Sequence, residues 1–156
     1  MITQIIKQSL RAQHSTITKL PSNWASHPAW APLASWQNSV SNKDVPATVN
    51  LYHKNATLWP TLSSHFRFNT ENELQPYFID FLGKIQHKEK LPEDKEFNAV
   101  LHPINCRQIG ENAYNWEGWS EFGLTDGSFV KARFTYLVEK IDGEWKISHH
   151  HNSLMP

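Results

Sequence analysis

The chain has 156 residues, of which 39% are apolar and 12% aromatic, enough for one compact domain with a buried core. Fifteen basic side chains balance fifteen acidic ones, so no long-range field gathers nucleic acid or an anionic membrane surface. The single cysteine, Cys106, excludes an internal disulfide and a paired-cysteine metal or redox motif.

The opening "MITQIIKQSLRAQ" places Ile2, Ile5, Ile6 and Leu10 at helical spacing, which predicts a short amphipathic helix over residues 2–13. It lacks the continuous apolar core of a signal peptide, and no later stretch approaches a membrane span, so a soluble, cytoplasmic protein is expected. From Ser15 to Pro32 the mixture of Pro, Ser, Asn and two tryptophans suits an irregular arm. Residues 1–29 are therefore read as helix and arm, and residues 30–156 as the domain proper.

Pro32 suits a first helical turn, and Leu33, Trp36 and Val40 share one face of a helix predicted over 30–42. Asp44 stands as an N-cap before a second helix carrying Val45, Val49 and Tyr52 and ending near His53. "ATLWPTL", interrupted by Pro60, reads as a short edge strand and a turn. Thr70 and Glu73 form a capping-box pattern ahead of "LQPYFIDFLGKI", whose Leu74, Tyr77, Phe78, Phe81, Leu82 and Ile85 make a broad helical stripe.

After the charged connection "HKEKLPEDKE" the period changes to two, predicting strands near 96–108, 112–124, 128–139 and 144–153. The joints Thr125-Asp126-Gly127 and Ile141-Asp142-Gly143 carry Asp-Gly, a strong hairpin signal. Helices followed by a meander predict an α+β fold: a cone-shaped, curved antiparallel sheet against about three helices, with an extra N-terminal helix. Such a cone encloses a pocket. Trp59, Trp116, Trp119 and Phe134 are expected in the core or the pocket wall.

The chain ends on "SHHHNSLMP", and simple alternation along the last strand sets Trp145, Ile147, His149, His151 and Ser153 on one face. Because that set begins apolar, it is expected to face inward, leaving His150 and Asn152 outward. Inward imidazoles either hydrogen-bond hydroxyls at the core edge or contribute to a metal site, for which His53 and His65 are the available further ligands. No HExxH or paired-Cys pattern is present, so no cofactor is assigned, with zinc or manganese left open.

The segments "LYHKNATLWPTLSSHFR", "ELQPYFIDFL" and "ARFTYLVEKIDGEWKISHHHNSLMP" resemble the iota-class carbonic anhydrases and their relatives in the nuclear-transport-factor-like, SnoaL-like superfamily. The resemblance runs from about Trp36 to Pro156. In that class the last strand reads as two His, two Ser, a variable residue, then Met-Pro; here Asn152 replaces the first Ser, on what alternation makes the outward face. The same stretch resembles the association domain of calcium/calmodulin-dependent protein kinase II, which assembles subunits and keeps a deep arginine-lined pocket; Arg133 falls on the corresponding strand. No kinase motif accompanies it.

The resemblance implies reversible hydration of carbon dioxide in an enclosed pocket, in some members without a metal. By motif position it implies Thr61, Tyr77, His151 and Ser153 as catalytic residues. His151 would exchange the proton near neutral pH, and the hydroxyls would orient water and bicarbonate. His149 and Arg133 are candidate substrate-binding residues, with Asp80 or Glu117 as alternative partners for Arg133. Two other readings stand beside this one: a non-catalytic oligomerising or small-ligand-binding domain, and a SnoaL-like enzyme acting on a larger apolar substrate. The expected partners are a small-molecule substrate or bicarbonate and a second copy of the chain, because sheet and aromatic arm offer apolar surface to a two-fold contact.

Overall fold

A computed structural model describes residues 17–61 and 63–156; the helix expected over 2–13 lies outside the described residues. Strand β1 (Ile17–Lys19) leads through two short 3-10 turns, Trp24–Ser26 and Pro28–Trp30, into helix α1 (Ala31–Ser41). Pro32 occupies the first helical turn, and Leu33, Trp36 and Val40 are buried on the predicted face. Lys43 adopts φ 57° and ends the helix, and Asp44 Oδ1 then accepts the Ala47 amide at 3.0 Å as N-cap of α2 (Val45–Val49).

Two boundaries differ from the sequence expectation. Helix α2 ends at Val49, not near His53, because the backbone joins the sheet instead: the Ile147 amide donates to the Leu51 carbonyl at 2.9 Å. Strand β2 (Tyr52–Trp59) thus starts at Tyr52, and it is not an edge, since it lies between β7 (Glu144–Leu154) and β3 (Arg67–Phe68). It runs parallel to β7, so the sheet is mixed, not wholly antiparallel.

Helix α3 (Leu74–Lys84) buries Leu74, Phe78, Phe81 and Leu82, the stripe that the period predicts. The Thr70 hydroxyl donates to the Glu73 carboxylate at 3.3 Å, and that carboxylate accepts the Phe68 amide. The pair ties β3 to the helix start rather than closing a capping box.

Strands β4 (Ala99–Gly110), β5 (Ala113–Gly123), β6 (Phe129–Ile141) and β7 form the expected meander in a seven-stranded order β1-β4-β5-β6-β7-β2-β3. Asp142 and Gly143, at φ 53° and 81°, make the two-residue turn between Ile141 and Glu144. The sheet curves around the helices, and Leu33, Trp36, Phe78, Trp116, Tyr136 and Ile147 fill the space between them. Trp116 and Phe134 lie in this core, whereas Trp59 is half exposed and Trp119 stacks on His102 at 3.9 Å. Among the described residues no helix is long and apolar enough to cross a membrane.

Candidate functional site

Strand β7 does not alternate regularly. Its ladder to β6 pairs Val138 with Ile147 and the adjacent Leu137 with His149, so Ser148 is an extra residue with no opposite number. Its side chain instead bonds the Glu139 carboxylate. One inserted residue reverses the facing of everything beyond it. Ile147, His150 and Asn152 are therefore buried, while His151 is exposed and His149 and Ser153 are half-buried.

This overturns the inward assignment of His149, His151 and Ser153 and the outward assignment of His150 and Asn152. His149 Nδ1 lies 2.7 Å from the Thr57 hydroxyl, and the His151 ring lies beside that of Trp59. Arg133, opposite Ser153 in the ladder, is exposed and donates to the Leu154 carbonyl at 3.3 Å. Its proposed carboxylate partners are engaged elsewhere, Asp80 with Lys84 and Glu117 with Arg107. Among the described residues no three His, Cys, Asp or Glu side chains gather as a metal would require, so His53 and His65 complete no set with the terminal histidines.

His150, only 2% exposed, is buried in the core two residues before Asn152 on the same inward face of β7. Its ring stacks on Tyr136 at 4.0 Å, and its Nδ1 lies 2.7 Å from the Tyr52 hydroxyl, which accepts Trp36 Nε1–H at 3.0 Å. Burial, only partly offset by the Asn152 side chain and reinforced by the neighbouring His149 and His151, lowers the His150 pKa to about 3. Burial likewise pushes the Tyr52 phenol well up, so it keeps its proton. With Trp36 donating to Tyr52, that proton is best used on His150 Nδ1, which leaves the imidazole proton on Nε2.

Tyr136 Oη and Thr61 Oγ1 are buried and have no hydrogen-bonding partner in the protein, and His150 Nε2 and Asn152 Oδ1, buried likewise, face each other without reaching ordinary hydrogen-bond geometry. Two of these residues, Thr61 and Asn152, line a small pocket with Tyr77, Phe81, Phe122, Leu124 and Val130. Its free space of about 10 Å³ is room for roughly one water-sized centre. The walls are mainly apolar.

Tyr77 and Phe81, with rings nearly parallel at 5.8 Å, separate this pocket from an outer cleft of about 240 Å³ lined by Ser63, Arg67, Pro76, Asp80 and Lys84. Burial pushes the Tyr77 phenol up, against the lowering effect of Arg67, so the hydroxyl is a donor at any physiological pH. Of the resemblance-derived residues, Thr61 and Tyr77 thus meet in one pocket, and Asn152 joins them where Ser153 had been expected. Trp36, Tyr52 and His150 form a buried hydrogen-bonded group in the core, outside the pocket lining, that the sequence does not announce. The bulge at Ser148 carries no Gly or Pro to announce it.

No protein-family model matches the sequence, and no curated protein does. Among solved structures, the chain is similar to a Xanthomonas campestris protein assigned as a calcium/calmodulin dependent protein kinase II association domain, at 26% identity and TM-score 0.70, covering 92% of this chain and 97% of that one. A ketosteroid isomerase-like protein from Erwinia carotovora aligns at 14% identity and TM-score 0.64, covering 86% and 98%. An NTF-2 like protein from Shewanella oneidensis aligns at 16% and TM-score 0.58, covering 79% and 93%. The fold is nuclear-transport-factor-like, an architecture that hosts unrelated activities.

Proposed function

We propose that the chain is a carbonic-anhydrase-like enzyme that hydrates carbon dioxide in the pocket formed by Thr61, Tyr77 and Asn152. The observation that carries this reading is the meeting of those three residues in an enclosed space of about 10 Å³. Room of that size seats a single water, so carbon dioxide would meet it from the Tyr77 and Phe81 side, and a larger apolar substrate of the SnoaL-like alternative is disfavoured. Phe81, which the pocket shares with the outer cleft, gives uncharged carbon dioxide an apolar face beside that water, while bicarbonate is poorly solvated there and leaves.

In this reading the Thr61 hydroxyl and the Asn152 amide hold the attacking water, whose oxygen bonds the substrate carbon. One C=O π pair moves onto oxygen, where Tyr77 donates a hydrogen bond to the developing charge. The water proton passes through the Thr61 hydroxyl to solvent at the pocket mouth, leaving bicarbonate, while the Tyr77 O–H stays on the developing oxyanion. His150 is a poor proton acceptor at neutral pH because its pKa is lowered to about 3, and it does not line the pocket, so it takes no direct part in this reading. His151 and Ser153, on the opposite face, take no part.

The test is stopped-flow carbon dioxide hydration by metal-stripped protein, repeated with added zinc or manganese. Hydration above the buffer rate without metal supports the reading. A rate equal to buffer in all three conditions rejects it in favour of a non-catalytic binding or association domain.

A further inference from the structure

Arg67, on the two-residue strand β3, lines the outer cleft with one Nη donating to the Ser63 hydroxyl at 3.0 Å. Its Nε is buried and has no hydrogen-bond partner, and among the described residues no carboxylate lies within ion-pair distance of the guanidinium. The only carboxylate in the cleft lining, Asp80, is paired with Lys84 at 3.0 Å, so the cleft carries the uncompensated charge of Arg67. An arginine charge without a counter-charge in a cleft is met best by an anion, which reaches the guanidinium through its Nη donors because Nε is covered by the protein.

We infer that the outer cleft is a binding site for a small planar oxyanion of the carboxylate type, received by the free edge of the Arg67 guanidinium. The planar fork of arginine matches two coplanar oxygens, which a spherical halide cannot use. Ser63 holds one side of the guanidinium in place, and the Tyr77 ring, with the guanidinium carbon 5.4 Å from its centroid, braces its face. The cleft volume of about 240 Å³ admits bicarbonate or a short organic acid. The site stands on the geometry of the cleft and does not need the proposed reaction. Where that reaction occurs, it gives the product anion a first stop outside the apolar pocket.

The experiment is a titration of the full chain with bicarbonate, acetate and chloride at constant ionic strength. It is followed by calorimetry and by the Arg67 Nε–H signal in ¹⁵N-resolved NMR. Saturable binding of bicarbonate or acetate that moves this signal, with no saturation by chloride, is expected. Response to both anions marks a general carboxylate site, and response to one names the preferred source. Arg67→Lys keeps the charge but loses the fork, and should weaken binding by about tenfold or more, since charged hydrogen bonds of this kind are strong. Thermal unfolding of the variant checks that it is folded.

Absence of saturation by either anion overturns the site, as does unchanged affinity in both Arg67→Lys and Arg67→Gln, or equal saturation by chloride. Hydration rates measured on the same samples separate the two ideas. Arg67-dependent binding without hydration supports the anion site while rejecting the reaction, and hydration without binding does the reverse.

Discussion

Acid stability reports directly on His150. In the folded chain its pKa is lowered to about 3 by burial, whereas in the unfolded chain it has the ordinary value of about 6.5. Between those values the unfolded state holds a proton that the folded state refuses, so stability rises with pH. The contribution is fully present above pH ~6.5, falls as pH drops and levels out below pH ~3. Linkage gives a loss of about 2 kcal/mol by pH ~5 and about 4 kcal/mol by pH ~3, large against the total stability of a typical domain. The assay is urea unfolding at several pH values for the wild type and His150→Gln, which leaves an acceptor for Tyr52 but cannot titrate. Carboxylates and the other eight histidines titrate in both proteins, so the difference between the two curves isolates His150. That difference should change by about 2 kcal/mol between pH ~7.5 and pH ~5. A change below about 0.5 kcal/mol would refute the reasoning, because it would mean that the imidazole is not sequestered and that the Ser148 bulge does not turn it inward.

Tyr52→Phe removes the shared hydroxyl and leaves Trp36 Nε1 and His150 Nδ1 buried without a partner, so chemical unfolding should show a loss of about 2–4 kcal/mol. A new Cβ at Gly118 would lie 2.2 Å from the His102 carbonyl oxygen and 2.7 Å from the Phe134 ring. Gly118→Ala should therefore cost about 1–3 kcal/mol or more, read in the same way. Asp44→Ala removes the cap on the Ala47 amide and should cost about 1 kcal/mol, the smallest effect of the three.

Much of the architecture is legible in the sequence because it rests on local periodicity. The stripe Leu74, Phe78, Phe81 and Leu82 can be buried by one helix face only, and Asp142-Gly143 demands the two positive φ values that a tight hairpin uses. What escaped was decided by tertiary pairing. Tyr52 fits the apolar edge of a helix with Val45 and Val49, yet it is drawn into β2, where Trp36 and His150 engage its hydroxyl. The facing of the terminal histidines depends on Ser148, an ordinary strand residue whose extra place in the ladder is visible only against β6. Thr61 and Tyr77 enter as candidates through resemblance and line one pocket, whereas unbroken alternation places Asn152 outside and only the bulge turns it to that pocket. Arg67 has no local signal, since its isolation follows from where the other charges pair.

The most direct test of the proposed reaction is the carbon dioxide hydration rate of Thr61→Val, Tyr77→Phe and His151→Ala beside the wild type, at one pH and with folding checked by circular dichroism. The account expects the wild type to exceed buffer, the two pocket variants to fall by about tenfold or more, and His151→Ala to match the wild type, because its ring stands on the exposed face beside Trp59. Loss of activity in His151→Ala with Thr61→Val and Tyr77→Phe unaffected would contradict it.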